Sequence, residues 1–122
     1  MTPTVLIVDD HPTFRSMARV LLESDGFDVV GTAPDGNAGI AAAHELSPDV
    51  VLVDVRLPDR DGFSVAAELT GSSGAPTVVV TSSSDDPDYP GMALRSGAIG
   101  FLAKHDLGGP LLKSLLARLP RK

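Results

Sequence analysis

Five short apolar runs divide the chain, and each is followed by a stretch with helical spacing. Thr4-Val5-Leu6-Ile7-Val8 runs into Asp9-Asp10, and Phe14, Met17, Ala18, Leu21 and Leu22 then recur at helical intervals behind Pro12, which a first helical turn tolerates. Gly26 ends that helix, and residues 28–33 read as a second strand. Asp35-Gly36 turns into an alanine-rich helix carrying Ile40, Ala43 and Leu46, stopped by Ser47-Pro48-Asp49. Val50-Val51-Leu52-Val53 is a third strand leading straight into Asp54, and Asp61-Gly62 opens a helix with Phe63, Ala66, Ala67 and Leu69. Thr77-Val78-Val79-Val80 is the fourth strand, ending in Thr81-Ser82-Ser83-Ser84. Ile99-Gly100-Phe101-Leu102 is the fifth, ending near Lys104, and Leu111, Leu112, Leu115, Leu116 and Leu119 form the apolar stripe of a last helix.

Alternation of this kind predicts an α/β fold, (βα)5, with a doubly wound parallel five-stranded sheet and helices on both faces. The continuous apolar runs fit strands buried on both sides. Between the fourth strand and its helix, Pro87, Pro90 and Gly91 fall where the helix should begin. Both prolines cannot occupy the first position, so a short helix that starts late is expected, and a mobile one.

In a parallel sheet the residues after each strand gather at one edge, where such folds place their ligands. That brings together Asp9, Asp10, Asp54, Thr81 and Lys104. Singly, each has an ordinary explanation: Asp10 or His11 as a helix cap, Asp61 as the cap of the third helix, Thr81 as a strand residue, Lys104 as a surface lysine. Together, three carboxylates repel one another unless a cation is present. Oxygen ligands with room for waters suit Mg²⁺. A carboxylate so placed can accept a phosphoryl group, with Mg²⁺ and Lys104 supplying positive charge and the Thr81 hydroxyl a hydrogen bond.

Composition narrows the alternatives. At 122 residues the chain is a single domain, residues 1–122, with 43% hydrophobic residues but only 4% aromatic, so Val, Leu, Ile and Ala must fill its core. With no cysteine there is no disulfide or thiolate site. The net charge of -6 argues against direct nucleic-acid binding. No membrane span or signal segment is visible, and a cytoplasmic location is expected. His11, His44 and His105 lack ligand spacing; His11 is close enough to the crevice to tune its charge, although a loop role is the simpler reading.

The ordered set V-L-I-V-D-D, V-L-V-D-V-R-L-P-D-R-D-G, V-V-V-T-S and G-F-L-A-K resembles the receiver domain of two-component response regulators over nearly the whole chain. The resemblance implies a flavodoxin-like, chemotaxis-regulator-like fold with strand order 2-1-3-4-5. It implies Asp54 as phosphoacceptor, Asp10 as direct metal ligand, Asp9 as a ligand often acting through water, and Arg56 as a ligand through its backbone carbonyl. Thr81 would be the switch hydroxyl, Phe101 the switch aromatic and Lys104 the phosphate contact. It further implies Mg²⁺ as cofactor, a sensor histidine kinase or phosphotransfer protein as donor, a signalling face of the fourth helix, fifth strand and fifth helix, and homodimerisation on phosphorylation. Such a domain promotes only its own phosphorylation and dephosphorylation. No output domain follows the fifth helix in this sequence, although G-F-L-A-K-H-D-L is similar to receivers that precede DNA-binding domains.

One departure is that Lys104 is followed by His105 where much of the family has proline. A non-proline cis bond costs about 3 kcal/mol, so a trans bond is expected. Two other classes compete. A docking module without phosphorylation would not need the acidic set, and an aspartyl-phosphate phosphohydrolase would need a cap and a D-x-D strand.

Overall fold

The apolar runs form five parallel strands in the order β2-β1-β3-β4-β5. They are β1 (Thr4–Val8), β2 (Asp28–Ala33), β3 (Val50–Asp54), β4 (Thr77–Ser82) and β5 (Gly100–Ala103), and they alternate with α1 (Pro12–Ser24), α2 (Gly36–Leu46), α3 (Gly62–Thr70), α4 (Tyr89–Arg95) and α5 (Pro110–Leu116). The computed structural model describes residues 2–107 and 110–117. Leu119 of the expected last stripe lies outside them, as does the side chain of Leu111.

The strict alternation of the strands builds two cores. Leu6, Val8, Val51, Val53, Val78 and Val80 pack against Ile40, Val65, Leu69 and Ala93 of α2, α3 and α4. Val5, Ile7, Val50, Leu52 and Val79 pack instead with Phe14, Ala18 and Leu22 of α1 and Leu112 of α5. Every residue of β3 is buried, as expected of a central parallel strand with helices on both faces. The helical stripes are narrower than the spacing predicts. Met17 and Leu46, both on the expected stripes, are exposed, although Leu46 Cδ1 still lies close over Gly31 of the edge strand β2.

The fourth helix has seven residues and begins only at Tyr89. Pro87 keeps the preceding residue out of helical geometry, and a turn closes there instead: the Asp88 and Tyr89 backbone N–H groups donate to Asp86 Oδ1 and Asp86 O at 2.9 and 3.2 Å. Pro90 then falls in the first turn, where its missing N–H removes no helical bond. Among the described residues every peptide bond is trans, Lys104–His105 included.

One glycine positions the crevice. A Cβ on Gly62 would collide with the backbone carbonyl oxygen of Asp54, and the Gly62 N–H donates to Val55 O at 2.7 Å. Only glycine lets the start of α3 pass this close to the end of β3.

Candidate functional site

The carboxyl ends of β1 and β3 are adjacent because their strands pair, with Val8 opposite Val53. Pairing of β3 with β4 then sets Asp54 opposite Thr81. Backbone bonds extend both strand ends: Asp9 N–H donates to Ala33 O at 3.0 Å, and Val55 N–H to Thr81 O at 2.9 Å. Asp9, Asp54 and Thr81 are buried there at 0%, 4% and 1% exposure. One ligand atom from each of Asp9, Asp10, His11 and Asp54 falls within 4.8 Å of the others.

Lys104 begins a single 3-10 turn, Lys104–Asp106, directly after β5. Its ammonium reaches back across the sheet edge to 2.7 Å from Asp9 Oδ2 and 3.6 Å from Asp54 Oδ1, and lies 4.4 Å from the centre of the Phe14 ring. An aromatic face and two carboxylates hold it in place. Asp9 is further fixed by the His11 backbone N–H, which donates to Oδ1 at 2.9 Å, and by Arg15, whose Nη1 donates to the Asp9 carbonyl at 2.6 Å.

The electrostatics are strained. Burial, and then the neighbouring Asp9 charge, push the Asp54 carboxyl up from 3.8 to about 6 against the opposing pull of Lys104. Asp10 Oδ1 is buried with no hydrogen-bond donor, whereas Asp9 Oδ2 is met by the Lys104 ammonium at 2.7 Å. A buried ionised oxygen left unpaired costs about 1–3 kcal/mol or more. A hard divalent cation would satisfy Asp10 Oδ1 and relieve the repulsion among the three carboxylates, so the donor set fits Mg²⁺.

Other predicted residues lie around this centre. Arg56 is exposed two residues beyond Asp54, its backbone tied to Asp61 by an isolated bridge. Asp61 caps α3, accepting from Ser64 N–H at 2.8 Å. Phe101 sits opposite Val80 on β4, half-buried, with its ring centre 5.8 Å from that of Tyr89. Tyr89 also stands 5.6 Å from Phe63. His11 takes the N-cap position of α1, but its side chain caps nothing there.

Sequence reasoning assigned no role at the site to Arg15, Tyr89 or Asp59, and read Phe14 only as an apolar position of the first helix. The Asp59 carboxylate receives the Gly36 and Asn37 N–H groups at 2.8 Å each, so it ties the loop after β3 to the start of α2. These links join residues on different elements, or on opposite sides of a turn, and carry no spacing signal.

Residues 5–114 match the response regulator receiver domain family. BvgA of Bordetella pertussis, a transcription regulator of virulence factors, is 41% identical over 103 residues, which are 84% of this chain and 49% of that protein. The signal receiver domain of the response regulator NarL from Mycobacterium tuberculosis is 35% identical and superposes with a TM-score of 0.83, covering 96% of this chain and 98% of that one. The chemotaxis response regulator CheY4 of Vibrio cholerae superposes equally well, at 0.83 with 29% identity, over 98% and 100% of the two chains. This chain spans about half the length of the curated regulators it matches. Among the described residues no helix is long and apolar enough to cross a membrane. The chain belongs to the receiver-domain family of two-component response regulators.

Proposed function

We propose that this receiver is a phosphorylation-controlled switch in which Asp54 takes a phosphoryl group from the phosphohistidine of a sensor kinase or phosphotransfer protein. The observation that carries the reading is the convergence of Asp9, Asp10 and Asp54, each with a ligand atom within 4.8 Å of the others, with Asp10 Oδ1 buried and without a donor. Asp9, Asp10, Asp54 and the Arg56 backbone carbonyl would hold Mg²⁺. When bound, Mg²⁺ neutralises the carboxylates and the charge of the incoming phosphoryl group.

An Oδ atom of Asp54 bonds to phosphorus as the donor's N–P bond breaks, and the electron pair leaves with the imidazole nitrogen, which takes a proton from solvent. Asp54 is largely ionised at neutral pH even with its carboxyl pushed up to about 6. Lys104 Nζ, 3.6 Å from Asp54 Oδ1, pairs with one phosphoryl oxygen. The Thr81 hydroxyl, on the strand opposite Asp54, donates to another. Drawing Thr81 toward the phosphoryl group leaves space into which Phe101 turns, which alters the face of α4, β5 and α5 read by a downstream partner or a second copy. Attack of water on phosphorus breaks the O–P bond to Asp54, releases inorganic phosphate and regenerates the carboxylate, so the domain acts only on itself, in the cytoplasm.

The test is incubation with acetyl phosphate or a phosphorylated histidine kinase, with Mg²⁺ or with EDTA. One phosphoryl group per chain is expected with Mg²⁺, and none with EDTA or in Asp54→Asn. Absence of any adduct would leave a docking module, whereas repeated turnover of small phosphoesters would favour a hydrolase.

A further inference from the structure

His11 has no role in the scheme above, yet its ring nitrogen lies among the acidic oxygens. Nδ1 is 3.0 Å from Asp9 Oδ1 and 3.1 Å from Asp10 Oδ1. Two ligands about 2.1 Å from one ion on adjacent octahedral vertices stand about 3.0 Å apart. Nδ1 therefore keeps the spacing of a ligand toward two carboxylates at once.

The backbone holds it there. Pro12 restricts the residue before it to extended geometry, and His11 adopts φ -96°, ψ 109°. The Asp9 Oδ1 bond to the His11 N–H closes the turn. The ring thus folds back over Asp9 and Asp10 instead of capping α1. A neutral or protonated Nδ1–H can donate to Asp9 Oδ1, but Asp10 Oδ1, equally near, receives no hydrogen bond and stays buried without a donor. One proton does not satisfy this arrangement, whereas a cation among the three atoms does. At 64% side-chain exposure the imidazole lies on the solvent side of the acidic oxygens.

Resting on the reading that this crevice binds a divalent cation, we propose that His11 Nδ1 is a metal ligand that makes the site mixed nitrogen and oxygen, selecting a transition-metal ion such as Co²⁺, Ni²⁺ or Mn²⁺ over Mg²⁺. Nitrogen donors favour these ions, with affinity rising from Mn²⁺ through Co²⁺ to Ni²⁺, while Mg²⁺ prefers oxygen and readily keeps water in place of a histidine.

Two measurements on the full chain test this. Titration calorimetry with CoCl2 and MgCl2 should find Co²⁺ bound more tightly, and His11→Ala should weaken Co²⁺ by about tenfold or more while Mg²⁺ binding is unchanged. Electron spin echo spectroscopy of bound Mn²⁺ should detect a directly coordinated ¹⁴N in the wild-type chain and in His105→Ala, but not in His11→Ala. Divalent binding without a ¹⁴N signal, or an equal Co²⁺ preference in His11→Ala, overturns the role of His11 and leaves the phosphoacceptor reading intact. Failure to bind any divalent ion overturns both.

Discussion

Asp54 is the proposed phosphoacceptor, and its environment makes its charge costly. With its carboxyl at about 6 against 3.8 for the free side chain, the metal-free folded chain binds more protons than the unfolded chain between about pH 4 and pH 6. Stability therefore falls as pH rises through that window, by at most about 3 kcal/mol. Urea midpoints across this range in EDTA should show the decline, and Asp54→Asn should flatten it. A rise in stability over the same window in the wild-type chain would contradict the raised value. Gly62 is the other constrained position, because any side chain there meets the Asp54 carbonyl. Gly62→Ala should destabilise by about 1–3 kcal/mol through overpacking and also slow phosphorylation by displacing Asp54. Unchanged thermal stability in that variant would show that the backbone can yield.

At the scale of elements, the strands were legible and their side-chain links were not. Val50–Val53 ends in Asp54 in a run that reads as a doubly buried strand, and parallel pairing then brings Asp9, Thr81 and Lys104 to the same edge. Pro87 and Pro90 announced the late start of α4 for reasons of backbone geometry alone. Nothing local announced that Tyr89 would enter the core between Phe63 and Phe101, since those rings come from three elements far apart in sequence. Nor did spacing reveal that Asp59, in the loop after β3, would accept the first two N–H groups of α2. Tyr89 anchors a helix too short to hold itself in place. Tyr89→Ala should cost about 3 kcal/mol by urea denaturation, and Tyr89→Phe, which keeps the ring, less than about 1 kcal/mol. Hydrogen exchange in α4 should rise sharply in the alanine variant; exchange that stays at the wild-type rate would mean Met92 and Ala93 alone secure the helix.

At the scale of the molecule, two cores brace a sheet whose carboxyl edge carries the acidic set, while Phe101 and Tyr89 lie toward the face of α4 and β5. Asp54 and Phe101 sit on opposite sides of β4, linked through Thr81 and its neighbour Val80. On the proposed mechanism a signal from the crevice to α4 has only a strand's width to cross, and at the far side it meets the tilted rings of Phe101 and Tyr89. All of it depends on phosphoryl transfer to one carboxylate among three. Tandem mass spectrometry of the full chain after acetyl phosphate and Mg²⁺ tests this most directly. The account predicts a single acyl phosphate on the peptide bearing Asp54, absent with EDTA and in Asp54→Asn. An adduct mapped to Asp9 or Asp10, or one that persists in Asp54→Asn, would contradict it.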